Sequence, residues 1–67
     1  MSSTKSAAQI FKEARLKKGL TRIELAKKAG VYTNTYYKIE RGEQKPSYPN
    51  IKKLAKALGL DIKNIPA

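Results

Sequence analysis

Four glycines, Gly19, Gly30, Gly42 and Gly59, cut this chain into short segments, and each segment between them carries apolar residues at helical spacing. No stretch alternates as a strand would, and none reads as a hairpin. The predicted fold class is therefore all-α: a compact domain of five short helices with tight connections. No helix this short buries its apolar stripe alone, so the helices must pack on one another.

The first helix is expected over about 6–18, with Ala7, Ile10, Phe11 and Ala14 on one face. Gly19 ends it, Lys17 and Lys18 suit its negative end, and Leu20 anchors the crossing. Thr21 and Glu24 have the spacing of a capping box, which predicts a second helix over 22–29 with Leu25 and Ala26 inward. Gly30 breaks it. The third helix is expected over 33–41, with Tyr36 and Ile39 inward and Gly42 as its stop. A polar loop from Glu43 to Pro46 follows. Ser47 caps a fourth helix over 48–58, where Pro49 is tolerated in the first turn and Tyr48, Ile51, Leu54, Ala55 and Leu58 form the inner stripe. Asp61 caps a last turn over 62–65. Residues 1–6 are expected to be a short flexible tail and 7–65 the domain.

With 67 residues, the chain has room for one small domain, and 40% hydrophobic content suffices for a packed core. It has no cysteine and no histidine, which excludes disulfides, His/Cys zinc sites and His-based catalysis. The five carboxylates, Glu13, Glu24, Glu40, Glu43 and Asp61, are scattered among lysines without a catalytic or metal-binding pair. No enzyme activity, cofactor, metal or small-molecule ligand is expected. No apolar run approaches the roughly 20 residues of a membrane span, and the first nine residues lack the apolar segment of a signal peptide. An intracellular protein is expected. Lys and Arg number 15 against 5 Asp and Glu, a net charge of +10, which points to a polyanionic partner, most commonly nucleic acid.

The segment from Thr21 to Gly42 narrows that choice. Two short helices are joined by Gly30-Val31-Tyr32. Ala26 is small enough for them to cross closely, and Gly30 can take the positive φ of a sharp turn. This is the physical signature of a helix-turn-helix, whose second helix enters the major groove of duplex DNA.

The run Thr21-Arg22-Ile23-Glu24-Leu25-Ala26-Lys27-Lys28-Ala29-Gly30-Val31 resembles the helix-turn-helix of Cro and the phage repressors, the XRE family. Tyr36-Tyr37-Lys38-Ile39-Glu40-Arg41-Gly42 is similar to that family's recognition-helix end. Pro46-Ser47 and Ile51-x-x-Leu54-Ala55-x-Ala57-Leu58-Gly59-Leu60 are similar to its fourth helix. The resemblance implies a lambda-repressor-like domain of a prokaryotic or phage transcriptional regulator, acting in the cytoplasm at the nucleoid. It implies binding to a near-palindromic operator, usually as a two-fold homodimer. It also implies an ion pair between Arg15 and Glu40. Arg22 stands where the family often has Gln, which touches phosphate and braces a base-reading side chain; Arg22 can hold phosphate by charge, and the bracing role is left open. Tyr32 and Tyr37 also depart from the family pattern, so no relative's base code is transferred.

On a helix starting near Thr33, the exposed face carries Thr33, Asn34, Tyr37 and Lys38, the expected base contacts. The expected phosphate contacts are Arg22, Tyr32, Thr35, Arg41 and Lys45. The remaining lysines read as solubilising charge. Leu60, Ile62 and Ile65 either cover the core or form an exposed dimer patch. The competing readings are an antitoxin-type protein-interaction module that also binds DNA, and a membrane-surface or RNA binder using charge alone. The latter leaves the Gly30 turn unexplained.

Overall fold

Hydroxyl side chains open three of the helices by accepting backbone N–H groups that no earlier turn can pair. In the computed structural model, which describes residues 6–65, helix α1 spans Ala7–Lys17. Its cap is Ser6: the hydroxyl accepts from Gln9 N at 3.2 Å, and Gln9 Oε1 accepts from Ser6 N at 3.3 Å. Ser6 thus belongs to the domain and not to the tail. The rest of the expected tail lies outside the described residues.

Helix α2 spans Arg22–Ala29 and opens on a reciprocal box in which Thr21 Oγ1 accepts from Glu24 N at 3.1 Å and Glu24 Oε1 from Thr21 N at 2.8 Å. Those Thr21 donors hold the Glu24 carboxyl below its ordinary pKa. Helix α4 spans Tyr48–Leu58, and Ser47 Oγ accepts from Asn50 N at 3.4 Å. Helix α3, Thr33–Glu40, differs: its N-cap is Tyr32, which makes no side-chain cap bond, so Thr33 is the first helical residue and not the cap.

Gly30 closes α2 in the left-handed region at φ 77° and ψ 30°, which lets Val31 N donate to Ala26 O at 2.9 Å. A Cβ at Gly30 would meet nothing within 4 Å, so the requirement there is purely conformational. The turn sends the chain straight into α3.

Phe11, Leu25, Tyr36, Ile39 and Leu54 are fully buried at the centre. Ala26 and Ala55, also buried, keep side-chain bulk low where α2 packs on both α3 and α4, while α1 packs against α3 and α4. Among the described residues no helix is long and apolar enough to cross a membrane.

Two expectations are corrected. The described residues hold four α-helices, and the fifth element is a single 3-10 turn, Ile62–Asn64, which Asp61 caps through Lys63 N at 3.0 Å. Ile65, the residue before Pro66, is extended at φ −109° and ψ 119°, as a residue preceding proline prefers. Tyr48 is not core: it is 63% exposed. It sits in the first turn, roughly 70° from the centre of the Ile51–Leu58 stripe at 3.6 residues per turn. Leu60, Ile62 and Ile65, left open between core cover and dimer patch, all pack on the core. Ile65 is buried, and Leu60 and Ile62 are half-buried against the core.

Candidate nucleic-acid interface

Glu40, the last residue of α3, is the fixed point of the site. Its carboxylate is 5% exposed and receives three partners. Arg15 Nε donates to Oε1 at 2.9 Å, Tyr36 OH donates to the same oxygen at 3.1 Å, and the Arg22 guanidinium lies 3.6 Å from Oε2. Arg15 also donates to Leu20 O at 2.8 Å, which ties the chain after α1 into the same cluster. Arg15 is buried, which by itself would depress its pKa. The hydrogen bond and charge of Glu40 outweigh that and raise it. Burial, reinforced by the Glu40 charge, pushes the Tyr36 phenol well above its usual value. Among the described residues no buried side-chain N or O atom lacks a partner. The network joins α1, the start of α2 and the end of α3, and so sets the angle at which α3 is presented.

At 100° per residue, Thr33, Tyr37, Arg41, Asn34 and Lys38 fall on one arc of roughly 140°, opposite Tyr36 and Ile39. Asn34, Lys38 and Arg41 are exposed, and Thr33 and Tyr37 are half-buried. Thr35 lies off this arc, toward Ile39, and is half-buried. Tyr32 is 85% exposed at the N-terminus of α3, next to the backbone N–H groups of the first turn. Lys45 is exposed in the loop before α4.

Two arginines expected on phosphate are already engaged. Arg22, besides its contact with Glu40, stacks over the Tyr37 ring at 5.2 Å from the centroid. It therefore lies against Tyr37, the kind of bracing contact that the family resemblance left open for this position. Arg41 pairs with Glu43, Nε to Oε2 at 3.1 Å and a terminal nitrogen to Oε1 at 3.2 Å, with both side chains more than half exposed. A pair this exposed is weak and yields readily to a phosphate.

An α2–turn–α3 unit with a polar outer arc on α3 is the arrangement of a DNA-reading pair of helices. The protein family described as helix-turn-helix matches the chain over residues 11–64. The chain belongs to the helix-turn-helix family. No curated protein sequence matches it. Among solved structures, the restriction-modification controller protein C.AhdI from Aeromonas hydrophila is similar, at 34% identity and a TM-score of 0.81, over 87% of this chain and 88% of that one. SinR, described as the master regulator for biofilm formation and solved in complex with DNA, is similar at 34% identity and a TM-score of 0.81, over 85% and 92%. The DNA-binding domain of the P22 C2 repressor is similar at 26% identity and a TM-score of 0.84, over 92% and 82%. In this helix-turn-helix chain the first helix of the motif is α2 and the second is α3.

Proposed function

We propose that this helix-turn-helix protein is a sequence-specific regulator of transcription that binds duplex DNA with α3 in the major groove. The observation that carries this reading is the outward arc of α3, held at a fixed angle by the buried Glu40 network. Asn34 and Lys38 have the chemistry for base edges: Asn bonds adenine at N6 and N7, and Lys donates to guanine O6 or N7. Thr33 and Tyr37 lie beside them, with Tyr37 held in place by Arg22 for contact with a thymine methyl or a sugar. Arg22, Tyr32, Arg41 and Lys45 surround the arc and neutralise or bond phosphates. Thr35, off the arc, contacts the backbone at most through its main chain.

The protein works by occupying an operator, in the cytoplasm at the nucleoid, and not by catalysis. Two copies on a near-palindromic site place their α3 helices about 34 Å apart, one turn of DNA. Similarity to SinR, solved bound to DNA, supports the same reading. Selection of bound duplexes from a random pool tests it. A two-fold consensus with half-sites one turn apart is the expected result, and uniform affinity for every duplex would overturn it.

A further inference from the structure

Gly42, at φ 77°, closes α3 in the left-handed region and folds the chain back on the helix's last turn. Gly42 N donates to Ile39 O at 3.1 Å and Glu43 N to Lys38 O at 2.8 Å, so Glu43 is pinned to the end of the helix that carries the outward arc. Its carboxylate meets the Arg41 guanidinium through two contacts, Nε to Oε2 at 3.1 Å and Nη2 to Oε1 at 3.2 Å. The other side-chain carboxylates lie elsewhere or are engaged elsewhere. Glu40 is enclosed by its partners, Glu24 and Asp61 cap the elements they precede, and Glu13 lines a hollow beside Leu60. Glu43 is the acid that stands exposed at the rim of the surface whose cations, Lys38, Arg41 and Lys45, are proposed to face duplex DNA.

We propose that Glu43 is a built-in phosphate mimic: it occupies on Arg41 the place of a DNA phosphate and so holds down the affinity of the chain for every duplex. The inference rests on the reading of α3 as DNA-binding and of Arg41 as a phosphate contact. A carboxylate and a phosphate offer arginine the same pair of oxygens, and both form the side-by-side, two-bond arrangement that Glu43 makes here. Binding therefore exchanges one oxyanion for the other on Arg41. The exchange is open to solvent, since both side chains are more than half exposed. It also has a cost, because the Glu43 carboxylate is left beside a phosphate without its cation. The backbone of Glu43 is held by Lys38 O, so only its side chain has to move when Arg41 changes partner. A chain of net charge +10 adheres to any duplex through charge alone, and an acid fixed at the rim moderates that adhesion without touching the side chains that read bases. Glu43 is thus a positioning residue for the interface, acting through Arg41.

The test is a double-mutant cycle on the full chain, read as the affinity for a labelled duplex of random sequence at one salt concentration. Glu43→Gln should bind about 1.5- to 5-fold more tightly, the range of an exposed ion pair. Arg41→Ala should bind more weakly. In the Arg41→Ala background the gain from Glu43→Gln should largely vanish, since the carboxylate acts through Arg41. Both positions are exposed, and circular dichroism checks that each variant keeps its helices. Unchanged affinity for Glu43→Gln beside a loss for Arg41→Ala would make the pair an ordinary surface contact and overturn the inference while leaving the DNA-binding reading in place. The same gain in both backgrounds would reduce Glu43 to a general repulsive charge and overturn it equally. No loss for Arg41→Ala would remove Arg41 from the interface, and the inference would fall together with the phosphate role on which it rests.

Discussion

Glu40→Ala should be among the most destabilising single substitutions outside the apolar core. The Arg15 and Glu40 side chains are only 10% and 5% exposed, so their pairing is largely shielded from water. Removing the carboxylate strands the Arg15 charge, held by its bond to Leu20 O at 2.8 Å and its contact with Tyr36, and leaves the Tyr36 hydroxyl without its acceptor. Breaking one side of such a buried pair typically costs about 3–5 kcal/mol, and the surviving Leu20 bond places this case near 3. At about 0.05–0.15 kcal/mol per residue, a domain of this length has roughly 3–10 kcal/mol in total. At about 4–8 °C per kcal/mol, the melting temperature should fall by roughly 12–24 °C. Thermal and urea unfolding followed by circular dichroism measures it. Alanine has high helix propensity, so loss of helix preference does not explain a large drop. The double variant Arg15→Met/Glu40→Leu, which removes both charges, should recover most of the loss. A fall of less than about 4 °C for Glu40→Ala, near 1 kcal/mol, would refute the claim that this network sets the geometry of α3.

Other outcomes follow from the same geometry. Gly30→Ala forces a side-chain-bearing residue into the left-handed region at φ 77° and should cost about 1–2 kcal/mol, seen as a lower urea midpoint at unchanged m. Because Tyr36 holds its proton more tightly folded than unfolded, its contribution is complete below its usual value near 10 and is lost as pH rises above that. Tyr36→Phe should therefore be less stable than the parent at pH 8, and the gap should narrow above pH 10; parallel pH profiles would contradict this. If Arg22, Arg41 and Lys45 neutralise phosphates, log K should fall with log salt at a slope of about −2.7 per chain. A slope shallower than about −1 would remove most of them from the interface.

Much of the architecture is legible in the sequence because local chemistry agrees with the packing. Thr21 with Glu24, Ser47 and Asp61 cap the elements they precede, and Gly30 ends α2. The Ser6–Gln9 box is equally legible by spacing and marks the start of α1. Periodicity misplaces Tyr48, since a helical stripe says nothing about whether another element covers its first turn. It also leaves Ile65 open between core and surface, which only the packing of the 3-10 turn decides. The polar arc of α3 follows from 3.6-residue spacing alone. The position of Arg22 does not: its contacts with Tyr37 and Glu40 join the start of α2 to the end of α3, and such a pairing exists only once the helices have crossed.

The most direct test of a base-reading α3 is the ratio of affinities for a selected operator and a random duplex, measured at one salt concentration for the parent and for Asn34→Ala. Loss of one bidentate base contact should lower operator affinity by about 1–3 kcal/mol, roughly 5- to 150-fold, and leave random-duplex affinity unchanged, so the ratio collapses by that factor. Equal losses on both duplexes would contradict the account.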